Sequence, residues 1–135
     1  MKELTIKATI ENIEKVTCFV NEELEKLDCP MKAQMQIDIA IDELFGNIAH
    51  YAYNPETGDA TVRVEVINDP LSVVITFIDG GIPYDPLKAE SPDTTLSAEE
   101  RSIGGLGIFM VKKTMDEISY RYEKGKNILT IRKQI

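Results

Sequence analysis

The 135 residues carry 15 Lys and Arg against 23 Asp and Glu, a net charge of −8, in a chain that is 43% hydrophobic and 28% charged. That composition suits a single globular domain around one core. It excludes the basic face a nucleic-acid binder needs to neutralise phosphates, and it disfavours docking on an anionic membrane.

Leu4, Ile6, Ala8 and Ile10 alternate with Thr5, Lys7 and Thr9, which predicts a half-buried strand over residues 3–10. Charge runs through this N-terminal stretch, so it lacks the apolar core of a signal peptide. Ile13, Val16, Val20, Leu24 and Leu27 fall at helical spacing over 12–28, and Asp28-Cys29-Pro30 stops that helix. Cys18 and Cys29 form no Cys-x-x-Cys pair and, with His50 as the one histidine, complete no zinc set. They read as plain buried or half-buried thiols.

A second helix is predicted from about Met31 to Tyr51, followed by a loop over 53–59. Val62, Val64 and Val66 alternate with Arg63 and Glu65 on a strand. Asn68-Asp69-Pro70 turns, and Leu71 to Ile78 returns. That apolar run is the longest in the chain and far too short to span a bilayer, so a cytoplasmic protein is the expectation. Residues 79–104 are rich in Gly, Pro, Ser, Asp and Glu, and a stretch of this length without apolar period reads as a functional segment such as a lid. A third helix is predicted from near Gly105 to Met115, then a hairpin whose strands meet at Lys124-Gly125. The order β-α-α-β-β-lid-α-β-β departs from strict βαβ alternation. It predicts one α+β domain over 1–135, with helices on one face of a mixed, mostly antiparallel sheet.

Three segments carry candidate chemistry. On the second helix, Ile37, Ile41, Leu44 and Ile48 form the core stripe. Glu43, Asn47 and His50 form another, which Ile39 and Ala40 continue; a face mixing carboxylate, amide and apolar groups suggests a cavity wall, though a solvated polar face has the same spacing. Ile78-Asp79-Gly80-Gly81 sends an apolar strand into a glycine turn, where Asp79 suits an exocyclic amine or simply caps a hairpin. Gly104-Gly105-Leu106-Gly107 precedes an apolar helical run. Backbone N–H groups at such a helix start make an anion site, while a flexible loop ahead of a helix has the same composition. The glycine spacing fits neither the Rossmann fingerprint nor the Walker loop.

Taken together and in this order, the three segments resemble the GHKL ATPase superfamily, which includes gyrase, histidine kinases and MutL. The branch most similar is that of the small bacterial anti-sigma-factor serine/threonine kinases. The resemblance runs over nearly the whole chain and implies the Bergerat ATP-binding fold. Glu43 and Asn47 match the N box, which implies that Glu43 is the general base and that Asn47 holds Mg²⁺. Asp79 and Gly81 match the first glycine box, where the aspartate binds the adenine amine. Gly105 and Gly107, with Gly104 beside them, match the second, at the triphosphate of ATP. Residues 85–103 then correspond to the ATP lid, with Arg101 within reach of the γ-phosphate or the partner, or a plain mobile charge. Pro83 stands where many relatives have the last glycine of Asp-x-Gly-x-Gly. Lys126-Asn127 stands where many have Gly-Thr, with Thr130 three residues on, so the residue supporting adenine beside Asp79 stays open. The implied activity is phosphoryl transfer from Mg-ATP to a serine or threonine of an anti-anti-sigma protein. The implied partners are that protein and a sigma factor, and a homodimer is implied as well. A module that sequesters its partner with little turnover, a stand-alone ATPase, and a degenerate domain that binds no nucleotide remain alternatives.

Overall fold

A computed structural model describes residues 1–88 and 103–135. Most of the expected lid, and Arg101 with it, lies outside the described residues. The elements in chain order are β1 (Lys2–Lys7), α1 (Ile13–Lys26), α2 (Met31–Asn47), β2 (Asp59–Ile67), β3 (Ser72–Asp79), α3 (Ile103–Thr114), β4 (Glu117–Glu123) and β5 (Lys126–Gln134). Short 3-10 turns span Ile10–Asn12 and Pro86–Lys88, and α2 runs on into a π-helical turn over Ile48–Ala52.

The strands form one five-stranded sheet in the order β1-β2-β3-β5-β4. Among the described residues every ladder is antiparallel, which agrees with the expected mixed, mostly antiparallel sheet and leaves it no parallel pair. The reason is the position of the last hairpin. β3 and β4 point the same way, but β5 folds back between them, so no parallel neighbours meet. β1 is shorter than its alternation suggests. It ends at Lys7; Ala8 turns inward, its N–H donating to the Gly58 carbonyl at 2.9 Å, and Ile10 enters a 3-10 turn with 47% of its surface exposed.

One face of the sheet carries Val62, Val64, Val73, Ile75, Phe77, Leu129 and Ile131, all buried. The helices cover it with Val16, Val20 and Leu24 from α1, Ile37, Ile41, Leu44 and Phe45 from α2, and Ile108 and Val111 from α3. The period-2 alternation of the strands sends Arg63, Thr76 and Thr130 to the other face. Cys18 is exposed rather than buried and Cys29 half-buried, because position 18 lies off the Val16-Val20-Leu24 stripe.

The start of α3 differs from the expectation in a way that matters for the site. The helix begins at Ile103, two residues before the expected start near Gly105, so Gly104 joins Gly105 in its first turn and Gly107 falls in its second. The apolar side chains that follow drive this, since Ile108 and Val111 are buried against the sheet.

Candidate active site

Helix α2 is enclosed on two sides, which explains its mixed composition. Its core stripe lies on the sheet, and Ala40 is fully buried. Glu43 and Asn47 are half-buried one turn apart, while Ile39 and His50 reach the exposed end of their stripe. Asn47 Nδ2 donates to Glu43 Oε1 at 3.5 Å. Helix α3 closes over this pair: a Cβ on Gly107 would lie 2.0 Å from Glu43 Oε2. Only a residue without a side chain permits that approach. Burial pushes the Glu43 carboxyl above its ordinary range, the Asn47 hydrogen bond opposes the rise, and the Asp42 charge adds to it.

At the other end of the site, β3 delivers Asp79 with 6% of its surface exposed. Its Oδ1 accepts from the Gly81 N–H at 2.9 Å and from Asn127 Nδ2 at 2.9 Å. The glycine turn is seated on the π-helical end of α2. A Cβ on Gly81 would lie 2.2 Å from the Ala52 carbonyl oxygen, and the Ile82 N–H donates to that same oxygen at 3.0 Å. Tyr53 latches the turn from beneath, its hydroxyl accepting from the Gly80 N–H at 2.8 Å and donating to the Asp59 carbonyl at 2.6 Å.

Between these ends lies a hollow of about 440 Å³, counting its open mouth. Leu44, Ile48, Phe77 and Leu129 supply apolar walls, while Asp79, Asn127 and Asn47 supply the polar groups. Few polar groups among mostly apolar walls suit a flat heterocycle. Asn47 and Tyr51 also line a neighbouring hollow that holds Asp42, Glu43 and His50. Tyr51 and Tyr84 face each other at the rim, their ring centroids 6.0 Å apart.

The structure thus brings Glu43, Asn47 and Gly107 together, and Asp79 with Gly81 together, with Asn47 and Asp79 lining the same hollow. Gly104 and Gly105 stand in the first turn of α3, where backbone N–H groups have no partner within the helix. Thr130 is excluded from the cleft, since it pairs with Thr76 on the opposite face of the sheet. Asn127 takes the place beside Asp79. Its signal in the sequence is a polar residue in phase with Leu129 and Ile131, two places past the Lys124-Gly125 turn. Tyr51, Tyr53 and Tyr84 carried no signal that distinguished them from ordinary half-buried tyrosines.

A carboxylate and amide on one helix, an aspartate at a strand end beside paired glycines, and a glycine-rich helix start closing over the carboxylate define an ATPase domain of the histidine kinase-like class. The sequence profile of the histidine kinase-like ATPase domain matches residues 6–133, and the chain belongs to that family, whose members use ATP. Among its relatives are the serine/threonine-protein kinase BtrW of Bordetella bronchiseptica, 27% identical over 100 residues that cover 74% of this chain and 70% of BtrW. The serine-protein kinase RsbW of Bacillus licheniformis is 30% identical over 68% of this chain and 60% of its own length. An RsbW of Bacillus cereus is 23% identical over 92% of this chain and 72% of its own. The match covers 72% of the one RsbW and 58% of another Bacillus cereus RsbW, so roughly three to four tenths of such relatives lies outside it. Among the described residues, no helix is long and apolar enough to cross a membrane.

Proposed function

We propose that this chain is an ATP-dependent serine/threonine-protein kinase that acts as an anti-sigma factor, binding a sigma factor and phosphorylating an anti-anti-sigma protein. The observation that carries the reading is the placement of Asn47, bonded to the Glu43 carboxylate against which Gly107 packs, in the wall of the hollow that also holds the Asp79 carboxylate. The kinase names of its relatives support the same reaction class.

In this reading Asp79 accepts the exocyclic amine of adenine, and the apolar walls hold the ring. The amides of Gly104, Gly105 and Gly107 receive the phosphates at the positive end of α3. The donor set suits magnesium. Among the described residues no group of three His, Cys, Asp or Glu side chains could cage a metal ion, and Mg²⁺ is usually held by one or two protein oxygens together with substrate phosphates. Asn47 turns its Nδ2 to Glu43, which leaves Oδ1, a hard neutral oxygen, as the protein ligand. When bound, the ion supplies charge neutralisation on the phosphate oxygens.

Glu43 accepts the proton of the attacking hydroxyl, the serine or threonine oxygen bonds to the γ-phosphorus, and the bond to the β-bridging oxygen breaks to release ADP. A carboxyl raised by burial is a stronger base than a solvated one, which suits this task near neutral pH. A homodimer belongs to the same reading.

The test is transfer of label from γ-labelled ATP to a candidate anti-anti-sigma protein, sought among the genes near that of this chain. Glu43→Gln should lower the rate by about 10²- to 10⁴-fold with nucleotide affinity retained. A variant that transfers phosphate as fast as the parent would remove Glu43 from the mechanism. A parent that holds its partner in the presence of Mg-ATP without transferring label would instead be a sequestering module.

A further inference from the structure

Asn127 opens β5 opposite Asp79 and is 6% exposed. Its amide is saturated within the protein. Nδ2 donates to Asp79 Oδ1 at 2.9 Å and to the Ile82 carbonyl at 2.8 Å. Oδ1 accepts from the Tyr84 N–H at 3.1 Å and from the Tyr120 hydroxyl. A primary amide has two N–H donors and an oxygen with two lone pairs, so no capacity remains for a ligand. Two acceptors on one side and two donors on the other also fix which end of the amide points where. One side chain thereby joins the edge strand β4, the end of β3 and the segment leaving the glycine turn.

We propose that Asn127 is a positioning residue that sets which base the cleft accepts, an inference that rests on the nucleotide reading of the hollow. Asp79 Oδ1 already receives two N–H bonds, from Gly81 and Asn127. Those two bonds, from opposite sides of the turn and the sheet, hold the carboxylate in one rotation. Among the described residues Oδ2 has no hydrogen-bond partner, and it meets the ligand as an acceptor only. That arrangement favours a purine with an exocyclic amine and opposes one with a carbonyl at the same place, where two acceptors would meet without a proton.

The experiment measures the affinities of Mg-ATP and Mg-ITP by calorimetry for the parent, Asn127→Asp and Asn127→Leu. ITP carries a carbonyl where ATP carries the amine. Circular dichroism melting without nucleotide establishes that each variant is folded. The parent should bind ATP about tenfold or more tighter than ITP, because the mismatched pair leaves buried acceptors unsatisfied. In Asn127→Asp an acceptor oxygen replaces the N–H donor facing Asp79 Oδ1, so two acceptors meet and the Asp79 carboxylate is turned out of its fixed rotation. The ATP-to-ITP preference should then fall by about fivefold or more. Asn127→Leu, similar in size and apolar like the surrounding wall, removes the bond to Asp79 and frees its rotation; the preference should fall by about threefold or more.

Equal weakening of both nucleotides, with the preference kept, is the signature of a merely structural residue and overturns the proposal. Unchanged affinities in either folded variant do the same. If Asn127→Asp does not fold, Asn127→Leu decides alone. A parent that binds ATP while both variants keep its preference removes only the assignment to Asn127. A parent that binds neither nucleotide removes the nucleotide reading and this inference with it.

Discussion

The closest approach in the site is that of Gly107 to Glu43, and it has two consequences that separate packing from chemistry. A methyl group at position 107 would overlap the Glu43 carboxylate, at 2.0 Å from Oε2 and 2.2 Å from Cδ. Gly107→Ala therefore has to displace either the side chain or the helix. An alanine is otherwise better in a helix than a glycine by about 1 kcal/mol, so thermal stability should change little while phosphoryl transfer falls by about tenfold or more. Melting curves beside single-turnover kinetics check this, and a variant with parental kinetics would show that the close contact is dispensable. The second consequence concerns pH. Glu43 is raised in the folded protein chiefly by desolvation, so the folded state binds its proton more tightly than the unfolded state. Such a group lowers stability once pH rises past its ordinary range, and the loss is complete above its folded-state value. Glu43→Gln should accordingly melt higher than the parent at pH 8, and the difference should shrink as the pH falls toward 4. Melting temperatures across that range give the answer, and a difference independent of pH would contradict the raised value.

At the scale of elements, the hairpin of β4 and β5 shows how local backbone chemistry serves the site. Glu123 pairs with Lys126, so the turn contains only Lys124 and Gly125, with φ of 53° and 77°. A two-residue turn with both φ positive is the type whose twist matches the strands. Gly125 adopts it freely, but Lys124 does so against the preference of an L-residue, which costs about 1–2 kcal/mol. Lys124→Asn should raise stability by about 0.5–1 kcal/mol, because asparagine tolerates that conformation. Chemical denaturation midpoints measure the gain, and no gain would mean the lysine makes compensating contacts. This turn sets the register that puts Asn127 opposite Tyr122, while the ladder with β3 puts it opposite Asp79. A slip by one residue would send Asn127 to the open face and Ile128 into the cleft. The boundaries of α3 teach the same lesson in reverse. Composition suggested a start near Gly105, yet Ile103 already belongs to the helix. Glycine disfavours a helix interior only weakly, and burial of Ile108 and Val111 outweighs that preference.

Over the whole molecule, the candidate site draws on α2, β3, α3 and β5, so ligand binding and global stability are linked. A ligand that binds only the folded state at about 100 times its dissociation constant adds about 2.7 kcal/mol of stability. Mg-ATP should therefore raise the melting temperature of the parent by several degrees, and Asp79→Asn should abolish most of the rise. A parent whose melting is indifferent to Mg-ATP would count against a nucleotide site here.

Much of this architecture was legible in the amino-acid order, because periodicity is a local property. The 3.6-residue stripe of Ile37, Ile41, Leu44 and Ile48 and the two-residue alternation of β2 each follow from which side chains must leave water. Glu43, Asn47 and Asp79 stood out for a similar reason, as polar groups embedded in apolar segments. Contacts between distant segments were not legible, since no local rule relates position 43 to 107 or 79 to 127. That Gly107 lies against Glu43, that Asn127 rather than Thr130 stands beside Asp79, and that β5 intervenes between β3 and β4 were decided only by the tertiary structure. Each depends on how a helix or strand with an otherwise adequate apolar face is placed against its neighbours, and many placements bury such a face equally well until the whole core is assembled.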